Sequence, residues 1–242
     1  MKIQPIILAA GKGTRMNNPD IPKILVPINN RPIISYLLER VKEGEFLSPT
    51  LVVGYQQEKV RQELGDEYTY VVQEEQLGTG HAVQVCESAL RGTSDILLIM
   101  NGDHPLWTVE TMRRLVTEHV VSGAVLSLAT LETDHPAFHN FGRIIRNEEG
   151  IIVGIREYKD CTEEERQIKE VNPSLFCIND TWLWDALKKI DRGNVQGEYY
   201  ITDLLAIAVE EGKHIGSVKA STWQETLGIN TPEQLQEVEK WI

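Results

Sequence analysis

The first half of the chain alternates between short apolar runs and amphipathic helical patterns, and this alternation limits the possible folds most. The apolar runs are Ile3–Ala9, Leu51–Val53, Tyr70–Val72, Ile96–Met100 and Ala124–Ala129. Between them lie the helical patterns Ile33–Lys42, Glu58–Leu64, His81–Leu90 and Val109–Val121. Strands that alternate with helices form βαβ units with a parallel sheet. The pattern therefore predicts an α/β fold, with a mostly parallel sheet and helices on both faces.

The pattern changes at about Phe141, where short β-like runs follow one another with turn residues between them. The runs are "FGRIIRN", "GIIVGIREY" and "EVNPSLFCI". Helical patterns then return over Trp182–Ile190, Ile201–Glu211 and Pro232–Ile242. A length of 242 residues suits one large domain. We predict a single domain over residues 1–242, in which residues 141–180 form a small β lobe.

Charge and apolar runs exclude several classes of protein. The net charge of −12 argues against a nucleic-acid-binding surface. No apolar run approaches the roughly 20 residues that a membrane span needs. Glycine and cationic residues interrupt the first apolar run too early for a signal peptide. We expect a cytoplasmic protein that binds neither nucleic acid nor a membrane.

The three cysteines, Cys86, Cys161 and Cys177, are odd in number, far apart and in no CxxC pair. Both a disulfide framework and a zinc site are therefore disfavoured. Cys86 falls in a helical pattern and Cys177 in a strand-like run, where free cysteines serve as small core residues.

The segment "LAAGKGTRM" follows the first apolar run directly. Gly11 and Gly13 permit positive φ angles and close approach to a ligand, and successive N–H groups in such a turn bind anions. Positive charge is added by Lys12, Arg15 and Lys23. The third glycine of GxGxxG is missing and so is the pattern GxxxxGK[ST]. The segment is either a phosphate loop of another kind or a simple glycine turn with solvated cations.

A second polar feature, Asn101–Asp103, follows the apolar run "ILLIM". In open α/β sheets, ligands bind beyond the carboxyl ends of the strands. We therefore expect this "NGD" segment and the glycine segment to lie at the same edge of the sheet.

The segment "LAAGKGTRM" followed by "PKILVPINNRPII" resembles the signature of sugar-nucleotide pyrophosphorylases. Within that family the chain is most similar to the uridylyltransferase domain of bacterial N-acetylglucosamine-1-phosphate uridylyltransferases. Four further segments carry the resemblance in family order: "QEEQLGTGHA", "NGDHPL", "GEYYITDLLAIAVEEG" and "GINTPEQL". The resemblance spans nearly the whole chain. It implies a Rossmann-like nucleotide-diphospho-sugar transferase fold, with a small β lobe over the sugar site.

The resemblance implies a reaction between UTP and a sugar 1-phosphate, with N-acetylglucosamine 1-phosphate as the expected substrate and Mg²⁺ as the cofactor. The products would be a UDP-sugar and pyrophosphate. Three alternatives stay open: another sugar phosphate or phosphorylated alcohol, dTTP in place of UTP, and a binding module without turnover. The sequence leaves the oligomeric state unknown.

The resemblance also assigns roles to individual residues. Arg15, Lys23 and Asp103 are implied as catalytic, and Asp103 and Asn230 as the metal ligands. Nucleotide contacts are implied for Leu8, Ala9, Ala10, Gly11, Lys12, Gly13, Thr14, Gln73, Gly78, Thr79, Asn101 and Gly102. Contacts to the sugar are implied for Gly142, Glu157 and Asn172.

The chain departs from the family pattern in the predicted sugar lobe. Pro173 and Ser174 stand where the family usually has Thr-Gly, and Tyr158 stands where it commonly has Gln. The identity of the sugar therefore stays open. The chain stops at Ile242, so we expect neither the hexapeptide-repeat β-helix of bifunctional members nor its acetyltransferase activity.

Overall fold

A computed structural model describes residues 1–16 and 18–242. Its strands are β1 (Ile3–Leu8), β2 (Pro27–Ile28), β3 (Arg31–Pro32), β4 (Thr50–Val53), β5 (Thr69–Val72), β6 (Ile96–Asn101), β7 (Leu126–Glu132), β8 (Gly142–Arg146), β9 (Ile152–Arg156), β10 (Glu170–Asn172), β11 (Leu175–Asn179) and β12 (Ile215–Lys219). Its helices are α1 (Ile33–Glu43), α2 (Gln57–Leu64), α3 (Thr79–Gln84), α4 (Glu87–Leu90), α5 (Val109–Ser122), α6 (Asp180–Leu187), α7 (Leu204–Glu210) and α8 (Pro232–Glu239). Within the described part of the chain, no helix has both the length and the apolar character to cross a membrane.

The large sheet has the strand order β5-β4-β1-β6-β11-β7-β10-β8-β9, and β12 pairs with β7. Strands β5, β4, β1 and β6 run parallel to one another, and β12 runs parallel to β7. Strand β11 runs antiparallel to both β6 and β7. The predicted α/β fold with a mostly parallel central sheet is confirmed.

The apolar runs are explained by burial on both faces of the sheet. On β1, Ile6 packs into the cluster that contains residues of α3, α6 and α7. Its neighbour Ile7 packs into the opposite cluster, which contains residues of α1 and α5. Parallel strands covered by helices on both sides lose the alternation of polar and apolar residues. All three cysteines are free and buried, which agrees with a role as small core residues.

Three boundaries differ from the sequence predictions. The pattern His81–Leu90 forms two short helices, α3 and α4, with Cys86 at the break between them rather than inside a helix. The pattern Ile201–Glu211 starts as a 3-10 turn at Ile201–Asp203 before α7 begins. The predicted lobe 141–180 includes β11, which is apolar and buried and pairs with β6 and β7 in the central sheet. The smaller antiparallel part consists of β8, β9 and β10.

The buried His119 on α5 makes the free energy of unfolding depend on pH. It is buried, with Nδ1 2.9 Å from Ser127 Oγ and Nε2 2.9 Å from Asn179 Oδ1. Burial lowers the pKa of His119, an effect that the hydrogen bond to Asn179 only partly opposes. Because the imidazole of the unfolded chain titrates near pH 6.5, the unfolded state takes up this proton first. The stabilising contribution of the neutral ring is therefore complete above about pH 6.5 and is lost as the pH falls toward the lower folded-state pKa.

We expect the free energy of unfolding to fall between pH 7.5 and pH 5.5, and His119→Gln to reduce that difference. Urea unfolding at the two pH values measures it. The exposed His214→Gln is the control and should keep the wild-type difference. An unchanged difference in His119→Gln would contradict the assignment.

Candidate functional site

The carboxyl ends of the parallel strands bring the predicted segments together. Leu8 at the end of β1 pairs in register with Asn101 at the end of β6. Beyond the strands, Gly102 N donates to Leu8 O at 2.9 Å, and Gln73 N donates to Val53 O at 2.8 Å. These hydrogen bonds continue the parallel pairing past the strand ends. The glycine segment, Gln73 and the "NGD" segment therefore line one edge of the sheet, as predicted.

A cavity of ≈ 280 Å³ opens at this edge. The predicted residues that line it are Leu8, Ala9, Ala10, Gly11, Lys23, Gln73, Gly78, Thr79, Asn101 and Asp103. Gly102 lies buried beneath it. Lys12, Thr14 and Arg15 are exposed beside it. Gly13 has φ +62°, and a Cβ there would lie 2.7 Å from Lys23 Cβ, so the loop packs directly against Lys23.

Lys23, Asp103 and Asn230 form a compact polar cluster at the cavity. Lys23 Nζ forms a salt bridge with Asp103 Oδ2 and donates to Asn230 Oδ1 at 3.0 Å. Arg15 Nη2 also donates to Asn230 Oδ1, at 2.9 Å. The cluster thus joins two cations from near the start of the chain to a carboxylate from its middle and an amide oxygen from near its end.

The electrostatics keep Asp103 ionised. Burial by itself would raise the pKa of Asp103, but the Lys23 ammonium outweighs it and the net pKa is lowered. His104 beside it is buried, with Nε2 3.7 Å from Asp103 Oδ1. Burial lowers the pKa of His104, so the imidazole stays neutral near pH 7. The cluster therefore combines an ionised acid with cationic Lys23 and Arg15.

The donor set of this cluster fits a magnesium ion. Asp103 Oδ2 and Asn230 Oδ1 both contact the same Lys23 Nζ, so two oxygen donors converge on one point. Mg²⁺ prefers oxygen ligands and usually keeps several waters. Across residues 1–16 and 18–242, no group of three or more His, Cys, Asp and Glu side chains could hold a metal. A cation held by Asp103 and Asn230 would complete its coordination with water and phosphate oxygens.

The end of the segment from Gln73 to Gly80 packs against residues 198–201. Gln73 is buried, and its Nε2 donates to Gly78 O at 3.1 Å. Gly78 has φ +112°, and a Cβ there would lie 2.5 Å from Tyr199 O. Thr79 Oγ1 accepts a hydrogen bond from Ile201 N at 3.0 Å. Glycine at position 78 is therefore required by both the backbone angle and the close approach.

A second cavity of ≈ 170 Å³ adjoins the first and shares four lining residues with it. The shared residues are Leu8, Thr79, Asn101 and Glu198. The second cavity is also lined by Glu157, Ser174, Tyr200 and Thr202. Two cavities with a common wall can hold two reactants side by side.

Of the three predicted sugar residues, Glu157 lines this second cavity, whereas Gly142 and Asn172 lie near it without lining it. Glu157 lines it, accepts a hydrogen bond from Thr202 Oγ1 at 3.1 Å, and has its pKa raised by burial. Gly142 and Asn172 pair in register between β8 and β10. A Cβ on Gly142 would lie 3.5 Å from Glu157 Oε1.

Sequence reasoning did not single out several residues that line the two cavities. They are Gln76, Gln196, Glu198, Tyr200 and Thr202. The last three belong to the segment "GEYYITD", which carries the family resemblance but received no role. Of the two departures, Ser174 lines the second cavity, whereas the Tyr158 hydroxyl lies 2.7 Å from His139 Nε2.

Comparisons with known proteins agree with this geometry. A family model described as a MobA-like NTP transferase domain matches residues 5–163. The bifunctional protein GlmU of a Geobacillus species is 38% identical over 240 residues, which cover 99% of this chain and 52% of that protein. The GlmU protein of Enterococcus faecalis is 39% identical over 225 residues, which cover 93% of this chain and 48% of that protein. The chain thus spans about half the length of the curated relatives it matches.

A solved structure shares the fold. It is described as a proposed glucose-1-phosphate thymidylyltransferase from Bacillus anthracis in complex with a sucrose. It is 22% identical, with a TM-score of 0.78 over 99% of this chain and 94% of that one.

The contact at Gly78 yields a test of the site's architecture. Gly78→Ala should destabilise the protein by more than Gly92→Ala, because both positions have positive φ but only Gly78 faces a backbone atom. Gly92 has φ +78° and nothing within 4 Å of an added Cβ. Backbone strain alone costs about 1–3 kcal/mol. Urea unfolding gives the free energy of unfolding of each variant. Equal losses of stability in the two variants would show that the close contact at Gly78 has no effect.

Proposed function

Because the chain belongs to the MobA-like NTP transferase family, we propose that it is a uridylyltransferase that joins UTP to a sugar 1-phosphate. The expected sugar phosphate is N-acetylglucosamine 1-phosphate. The observation that carries the proposal is the pair of adjoining cavities, one beside Lys23 and Asp103 and the other beside Glu157. They would hold the nucleotide and the sugar phosphate in contact.

The proposed chemistry needs no general base. A phosphate monoester is already mostly dianionic at pH 7, since its second pKa is about 6. Its oxygen attacks the α-phosphorus of UTP, the bond from that phosphorus to the bridging oxygen breaks, and pyrophosphate leaves with the electron pair. The barrier lies in bringing anions together and in stabilising the leaving group, which positioned cations lower. The neutral, buried His104 is consistent with a site that transfers no proton through histidine.

Different residues of the chain would bind the triphosphate, the base and the sugar. Lys23 and Arg15 neutralise triphosphate charge, and the backbone amides of residues 10–13 contact phosphate oxygens. The Oε1 of Gln73 accepts from the uracil N–H, while its Nε2 is held by Gly78 O and His81 Nδ1. Glu157, oriented by Thr202, accepts hydrogen bonds from the sugar hydroxyls. Leu8 and Thr79, which line both cavities, hold the two substrates next to each other.

Magnesium would be held by Asp103 and Asn230. When bound, Mg²⁺ would supply positive charge that offsets the negative charge of the substrate phosphates. Asp103 contributes a charged ligand and Asn230 a neutral one.

One observation favours a different sugar with the same chemistry. Ser174 stands where the family usually has glycine, and it has φ +63° while lining the second cavity. Its side chain occupies space that glycine would leave open, so the sugar phosphate could differ at one substituent. Thymidine triphosphate is the corresponding alternative for the nucleotide, because it has the same hydrogen-bonding edge as UTP.

Pyrophosphate release over a panel of nucleoside triphosphates and sugar 1-phosphates tests the proposed function. We expect UTP to be used best, dTTP in part, and CTP and purine triphosphates poorly, because a site built on such hydrogen bonds rejects unmatched edges. A purine triphosphate as the best substrate would overturn the nucleotide assignment. Binding of UTP without turnover on any sugar phosphate would favour the binding module.

The metal ligands should differ in effect when they are replaced. Asp103→Asn removes the charged ligand and should lower turnover by about 100-fold or more. Asn230→Ala removes a ligand that water replaces in part, so activity should fall but recover partly at high Mg²⁺. Turnover against Mg²⁺ concentration measures this, with the exposed Asp66→Asn as a control. Activity that survives a chelator in the wild-type protein would show that the metal assignment is wrong.

A further inference from the structure

The segment of residues 221–230, called the strap below, carries Asn230 to the site. It connects β12 to α8 and lies against the residues that follow β6. Near its end, Ile229 N donates to Asp103 O at 2.9 Å. The next residue, Asn230, places its Oδ1 beside Lys23 and Arg15. The position of Asn230 relative to Asp103 therefore depends on how the strap is held.

A buried carboxylate holds the other end of the strap. Glu225 is 2% exposed and accepts four hydrogen bonds. Its Oε2 accepts from Thr108 Oγ1 at 2.6 Å, and its Oε1 accepts from Thr111 Oγ1 at 2.9 Å. Oε1 also accepts from the backbone N–H groups of Ser221 and Thr222, at 2.5 and 3.3 Å. Four donors offset the cost of removing this carboxylate from water.

Two partners of Glu225, Thr108 and Thr111, lie at the start of α5, which follows the segment that carries Asp103. Thr108 caps α5 and accepts from Thr111 N at 3.2 Å, so Glu225 extends the cap of a 14-residue helix. Negative charge is favourable at a helix N-terminus. Only residues 104–107 separate Asp103 from Thr108. Glu225 thus ties the strap to the chain segment that begins with Asp103.

Close packing leaves the strap little freedom between its two attachments. A Cβ on Gly228 would lie 2.4 Å from His104 Nε2, so the backbone of the strap touches the residue after Asp103. Thr226 and Ile229 are fully buried. Because residues 226–229 are tightly packed, a displacement of the backbone at Glu225 would also displace Asn230.

We infer that Glu225 is a positioning residue that holds Asn230 at the distance from Asp103 at which one cation can bind both. The inference rests on the proposed function, because that function makes Asn230 a metal ligand. Glu225 itself touches neither substrate nor metal and acts through the strap.

The test compares Glu225→Ala with a matched buried carboxylate elsewhere. Asp180 is also 2% exposed, lies at the start of α6, and accepts from Gly92 N and Trp184 Nε1, each at 2.8 Å. Asp180→Ala should also lower the free energy of unfolding, but the substitution lies on the opposite face of the sheet from α5. Glu225→Gln is the conservative variant, since its amide oxygen still accepts from the strap and its amide N–H donates to Thr108.

Hydrogen exchange of the free protein gives a readout that needs no metal. In Glu225→Ala we expect faster exchange at the amides of residues 226–230, including Ile229, with a smaller change in Glu225→Gln. In Asp180→Ala the faster exchange should be confined to the surroundings of Gly92 and Trp184. Unchanged exchange in the strap of Glu225→Ala would overturn the inference. If Glu225→Ala does not fold, Glu225→Gln takes its place, and unchanged exchange at the strap amides of Glu225→Gln would overturn the inference.

The Mg²⁺ requirement of turnover gives the functional readout. Loss of a residue that orients a metal ligand typically weakens metal binding by about 10–100-fold. We expect the half-activating Mg²⁺ concentration of Glu225→Ala to rise by about tenfold or more, and that of Asp180→Ala to stay at the wild-type value. The KM for UTP at saturating Mg²⁺ should change less than the Mg²⁺ requirement.

The two readouts separate the failure of this inference from that of the proposed function. A wild-type protein that turns over without Mg²⁺ would refute the metal site, and with it the role of Glu225. A metal-dependent wild type whose Mg²⁺ requirement is the same in Glu225→Ala and Asp180→Ala would refute only the positioning role.

Discussion

The parallel pairing of β1 with β6 is the constraint on which the site depends. The register runs from Ile3 opposite Ile96 to Leu8 opposite Asn101, so the two strands end together. The hydrogen bond from Gly102 N to Leu8 O then carries the pairing one step beyond the strands. A slip in register by one residue would turn every side chain of a strand to the opposite face, and would disrupt the packing of both apolar clusters. The core therefore fixes the relative position of the glycine segment and Asp103.

The buried Asp103 carboxylate needs a positive partner, and Lys23 supplies it. Asp103 is buried at the end of β6, and an unpaired buried carboxylate is strongly unfavourable. The Lys23 ammonium stabilises its charged form, and Gly13 packs against the stem of the same lysine. One side chain thus joins the glycine segment to the acid and supplies the cation that the proposed chemistry needs. Lys23 has a structural role as well as a proposed role in phosphate binding.

The sequence predicted the parts of the site that lie at strand ends, and missed those that depend on distant packing. The glycine segment and the "NGD" segment follow apolar runs, so the rule that ligands bind beyond strand ends applies to them, whereas the role of Gln73 was implied by family resemblance. The place of Asn230 came only from family resemblance, because nothing local distinguishes an asparagine before a helix. Glu225 and Thr202 gave no signal, since their roles depend on contacts with residues far away in the chain. The sequence did not show that β11 pairs with β6 and β7, because the periodicity of an antiparallel strand does not reveal which strands it joins.

The same division separates the part of the site that is proposed to act on phosphate from the part that is proposed to hold the sugar. The first cavity is built on parallel strands whose ends are held by the core, and its cluster needs Lys23, Asp103 and Asn230 together. The second cavity takes further walls from Glu157, from the turn at Ser174 and from residues 196–202. Ser174 lies in a left-handed turn in which its N–H donates to Asn172 Oδ1 at 3.0 Å. A change there alters the space and the donors available to a sugar without moving the ends of β1 or β6.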